Sequence, residues 1–103
     1  MAYDEELAEQ VRALVPDGTA EKKMFGGLAF LIGGNMAVAA SGQGGLLVRV
    51  DPAASDELVR TTRAETMVMR GRAMPGWLRV DAGGDLAEWV ARGVGYAGTL
   101  PPK

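Results

Sequence analysis

Arginine is the residue type with which this chain could do the most chemistry. Arg60, Arg63, Arg70, Arg72 and Arg79 fall between residues 58 and 80 with Glu65 as the lone acid, a local balance of +4. A guanidinium binds phosphate or carboxylate through two parallel donors, so a gathered set would form a patch for phosphates or for an acidic protein surface. The plainer reading of the same five is a solvated face with dispersed ion pairs. Residues 1–21 carry the opposite sign, with Asp4, Glu5, Glu6, Glu9, Asp17 and Glu21 set against Arg12.

Other reacting groups are scarce. The chain has no cysteine and no histidine, which removes thiolate nucleophiles, zinc-thiolate sites and the commonest general base at neutral pH. No catalytic residue, metal site or cofactor is therefore expected. Gly93-Val-Gly95-Tyr-Ala-Gly98 spells a dinucleotide fingerprint, but it lies late in an expected helix, whereas pyrophosphate binding needs a strand before it and a helix N-terminus after it. Gly26-Gly27, Gly33-Gly34 and the glycines from Gly42 to Gly45 lack the Lys-Ser/Thr pair of a phosphate loop and read as turn and bulge residues. Of the methionines, Met24, Met36, Met67 and Met69 fall on expected strands and are assigned to the core, and Met74 to an exposed turn; an adaptable binding surface is the alternative. Trp77 and Trp89 read as core or rim anchors.

The elements that must position these residues follow from periodicity. Tyr3, Leu7, Val11, Leu14 and Val15 make one apolar stripe at helical spacing, with Asp4 as N-cap and Pro16 and Gly18 as terminators. Met24 to Ile32 reads as a first strand, apolar on both faces and hence expected to be central and covered on both sides. Gly26-Gly27 leaves a gap in it that marks a bulge or a close approach by another element, and Gly33-Gly34-Asn35 supplies a hairpin turn. Strands over 36–40 and 46–50 complete a meander. Asp51-Pro52 opens a second helix running to about Arg60. Residues 66–70 and 77–80 are expected as further strands joined by a turn over 71–76, and Asp85 with Glu88 as a capping box before a last helix that Gly98 and Pro101-Pro102 end. The expectation is an α+β fold: a five-stranded, largely antiparallel sheet with three helices, in the order α-β-β-β-α-β-β-α.

A chain of 103 residues with 48% hydrophobic and 23% charged residues has enough apolar surface for one core, so a single domain over residues 1–103 is expected. With a net charge of −2 the molecule has no bulk attraction for nucleic acid, and direct contact with it would be weak. The N-terminus is acidic where a secretory signal is basic, and the apolar run after Met24 stops at Gly33, short of a membrane span. A cytoplasmic location without membrane contact is the expectation.

EKKMFGGLAFLIGGNM, together with MAYDEELAEQVR, LLVRVDP, GRAMPGWLRV and LAEWVARGVGYAGTLPPK, resembles the N-terminal domain of the TfoX/Sxy family of bacterial competence regulators. The resemblance covers nearly the full length. Its most specific blocks are Lys22-Lys23-Met24-Phe25-Gly26-Gly27 and the segment from Gly71 to Trp77. It implies a compact antiparallel α/β domain and a role in regulating gene expression, because the full-length regulators, which carry a second domain, assist a transcription activator at DNA-uptake genes. It supplies no catalytic residues. The expected function is thus a non-enzymatic regulatory or protein-interaction domain with a protein partner, which the resemblance implies to be transcription-related. Alternatives are a small-molecule binder or minor enzyme, and a homodimerisation module joined through a strand edge or helix face.

Overall fold

The structure, a computed structural model, describes residues 3–24, 26–42, 44–62, 64–81 and 85–102. The chain forms α1 (Glu5–Leu14), β1 (Ala20–Met24), β2 (Gly27–Ile32), β3 (Asn35–Ala40), β4 (Leu46–Arg49), α2 (Pro52–Thr61), β5 (Glu65–Met69), β6 (Arg72–Val80) and α3 (Leu86–Ala97). The strands lie in the order β1-β2-β3-β4-β6-β5, every neighbouring pair antiparallel. From β4, α2 carries the chain past the position that β6 later fills, so β5 lands at the edge.

The α+β class and the three helices agree with the sequence reading; the sheet has six strands where five are expected. The extra strand comes from the glycine gap. Met24 pairs with Gly27 and Gly26 has φ +76°, so the chain reverses there and residues 20–24 run back along β2. The close approach is also present: a Cβ on Gly27 would stand 2.3 Å from the Ala40 carbonyl oxygen, and one on Gly42 would stand 2.6 Å from that of Gly26. β2 is consequently the second strand of six, not the central one.

The last hairpin differs as well. The turn expected over 71–76 is only Arg70-Gly71, both at positive φ (54° and 77°), closed by Met69 opposite Arg72. Farther along, Thr66 faces Leu78 but Val68 faces Ala73, so β6 bulges outward between them, through Met74, Pro75 and Gly76. Proline survives inside this strand because a bulged residue owes the ladder no N–H.

Helix termini are set locally. The Asp4 carboxylate accepts from the Leu7 N–H at 3.1 Å, and that of Asp51 from the Ala53 N–H at 2.9 Å. The expected capping box at α3 is replaced. Asp85 makes no side-chain cap bond there; its carboxylate accepts from Trp89 Nε1 at 3.0 Å, which satisfies the indole donor of a core residue. Leu14 falls off the α1 stripe and is 43% exposed, while Ala8 joins Leu7 and Val11 inside.

Phe30, Val38, Val48, Leu78 and Trp89 are fully enclosed in a core shared by one sheet face, α1 and α3, and Leu58 and Val59 of α2 pack against the same cluster. Burying each such side chain contributes roughly 1.5–3 kcal/mol. α3 approaches β3 so closely that a Cβ on Gly93 would meet the Ala37 carbonyl oxygen at 2.4 Å. That accounts for one glycine of the fingerprint-like motif by helix-on-sheet contact, and Gly98 is the α3 C-cap. All three helices therefore lie on one side, and the opposite sheet face, expected to be covered, is not covered by them.

Candidate functional site

Period 2 directs Phe30, Val38, Val48 and Leu78 to the helices and sends Ala39, Leu47, Trp77 and Arg79 to the other face. A groove of about 640 Å³ crosses that face. Gly27 and Ala39 make its floor, and Met36, Leu47, Met67, Met74 and Trp77 supply apolar walls. Val68, Glu65, Arg70 and Arg79 border it. Small residues in the middle and bulky, half-buried ones around them produce the concavity; the bulge at Met74 to Gly76 bends the β5–β6 tip beside it.

The methionines are thereby relocated. Met36, Met67 and Met74 are half-buried groove residues and none belongs to the core cluster, so the core assignment of Met36 and Met67 and the exposed-turn assignment of Met74 are corrected. A β-bulge beside Leu31 displaces Met36 from the strand alternation, which is why periodicity misplaces it. Met24 and Met69 lie on β1 and β5. Trp89 is a core anchor, whereas Trp77 is a half-buried wall whose ring carries the Arg49 guanidinium 4.8 Å from its centroid. Arg49 also lies 5.8 Å from the Tyr96 ring. Sequence reasoning missed Met36 and Leu47 as groove residues; the alternation of Leu47 with core Val48 is the signal that could have found Leu47.

Of the five arginines, Arg70 and Arg79 border the groove. Arg79 Nη2 donates to the Gly44 carbonyl at 2.8 Å, tying β6 to the β3–β4 loop, and Arg79 sits opposite Glu65 in the β5–β6 register. Arg72 is exposed at the start of β6, Arg60 is exposed on α2, and Arg63 lies outside the described residues. Lys22 and Lys23 are exposed on β1, Gly26 and Gly27 form the first hairpin's contact with the β3–β4 loop, and Phe25 lies outside the described residues. The groove border thus holds two arginines and one glutamate on a protein of net charge −2.

Away from the groove, a charged fork ties the N-terminal elements together. Arg12 Nε and Nη2 donate to the two Glu21 carboxylate oxygens at 2.7 and 2.8 Å, and Nη1 donates to Glu9. The bond from Arg12 holds the Glu21 carboxyl below its ordinary value, and the Glu21 bond raises the guanidinium further. This fork fastens β1 to α1 and accounts for three of the N-terminal charges without a partner. Among the described residues no group of three or more carboxylates gathers to hold a metal, and no helix is long and apolar enough to cross a membrane.

No curated protein and no solved structure matches the chain. A family model, the TfoX N-terminal domain, matches residues 9–97, which spans every described strand, the groove and nearly all of the core. The chain belongs to the TfoX N-terminal domain family.

Proposed function

We propose that this protein is a non-enzymatic regulatory domain that acts by binding another protein, in a process linked to transcription. The observation that carries the reading is the open-face groove: thioether and indole walls that adapt to a partner's apolar side chains, bordered by more positive than negative charge on an otherwise acidic molecule. Its occupant is a protein segment that presents apolar side chains flanked by carboxylates. Family membership supports the regulatory half of the reading.

Deleting the gene and comparing transcripts tests it. Transcript changes restored by the wild type but not by a folded Met74→Glu variant are expected. Unchanged transcripts, or full restoration by Met74→Glu, overturn the reading. A second reading, an anionic apolar small molecule in the same groove, is favoured by its volume, which falls within the ~300–1,000 Å³ of ligand pockets. Thermal stabilisation by fatty-acid-like carboxylates, lost in Met74→Glu, would select it.

A further inference from the structure

β5 is the last strand of the sheet, and one row of its backbone donors and acceptors faces outward. Proteins blunt such edges with lysine, proline or a covering element. The opposite edge shows this device: β1 reads Ala-Glu-Lys-Lys-Met, with Glu21, Lys22 and Lys23 exposed. β5 reads Glu-Thr-Met-Val-Met, has neither lysine nor proline, and leaves Val68 63% exposed, the most exposed large hydrophobic among the described residues.

Charge selects the occupant. Glu65 begins β5, Arg70 follows its end and both border the groove on the open face, so a second copy of the strand running antiparallel sets glutamate diagonally beside arginine at both ends of the pair. A two-fold axis through an edge repeats each contact, so one complementary pair counts twice. We propose that two copies of this chain join through β5, extending the six-stranded sheet into a continuous twelve-stranded one. With the axis perpendicular to the sheet, the two open faces lie side by side and the grooves, each reaching its own β5, meet at the joint. The Val68 side chains are covered there. This inference is independent of the regulatory reading, because it concerns mass and not transcripts.

Light scattering on a sizing column, over micromolar to millimolar protein, tests it. The mass is expected to rise from 10.8 kDa toward twice that value as concentration increases. Val68→Lys should hold the mass at 10.8 kDa while near-ultraviolet circular dichroism stays unchanged. Glu65→Arg and Arg70→Glu should each weaken self-association about tenfold, and the double exchange should restore it. A wild type that stays at 10.8 kDa throughout overturns the proposal, as does a Val68→Lys variant that still dimerises. A double exchange no tighter than the single variants also overturns it, and this series decides the matter should Val68→Lys fail to fold.

Discussion

The first hairpin, β1–β2, and the last, β5–β6, both close with two residues between paired strand ends, Met24 to Gly27 and Met69 to Arg72. Their surroundings differ. At the first, Gly26 and Gly27 are pressed against Ala40 and Gly42, and Glu21 is forked by Arg12 of α1. At the last, Gly71 has open space around it, Arg70 holds a left-handed conformation, and Val68 stands in solvent. Contact returns only at the bulge, where Gly76 lies against Val50 and Pro52. One hairpin is fastened to the body at its turn and, through Glu21, near the start of its outer strand; the other is anchored at its base and free at its tip, beside the groove. The same local motif thus serves closure at one edge and presentation at the other.

Substitutions can break or sharpen this contrast. Gly27→Ala should have the largest effect, since its Cβ meets backbone that cannot swing aside; a loss of ~2–3 kcal/mol in urea denaturation is expected. A neutral outcome would mean that the first hairpin is not fastened at its turn. Gly76→Ala adds positive-φ strain at 85° to a 3.0 Å contact with the Val50 carbonyl oxygen and Pro52, and should cost ~1–2 kcal/mol by the same measurement. At the free tip the sign should reverse. Arg70→Asn creates the Asn-Gly pair that positive φ at both turn positions prefers, so a gain of ~0.5–1 kcal/mol is expected at low protein concentration.

The smallest effect belongs to Glu21→Gln, whose partner is on the surface: a fall in Tm of ~1–3 °C at pH 7. Its pH dependence is specific. Glu21 titrates lower folded than unfolded, so the ion pair stabilises fully above the ordinary carboxylate value and loses that contribution as pH falls through the lowered one. The Tm gap between wild type and Glu21→Gln should therefore close on acidification from pH 7 toward pH 3. A gap that widens in acid would show that Arg12 does not hold Glu21.

Much of this was legible in the residues because it depends on near neighbours. Asp4 and Asp51 cap their helices, Gly33-Gly34 turns between β2 and β3, and Leu7, Val11, Trp89 and Val90 face the core, each determined by side-chain type within one or two turns of chain. The family was legible too, because its blocks lie contiguous at Lys22 to Gly27 and Gly71 to Trp77.

What only the tertiary structure decided is everything set by partners distant in sequence. An apolar run with two glycines is compatible with one bulged strand or with two strands and a reversal; Ala40 and Gly42, well over ten residues away, are what the reversed chain meets. Strand periodicity names two faces without saying which one the helices take, so Met67 had no assigned face before the sheet order existed, and Met36, which shares the parity of core Val38, is separated from it only by the β-bulge opposite Leu31. For the same reason the sequence alone leaves β5 indistinguishable from an interior strand. It becomes an edge only because α2 carries the chain beyond the position that β6 then fills.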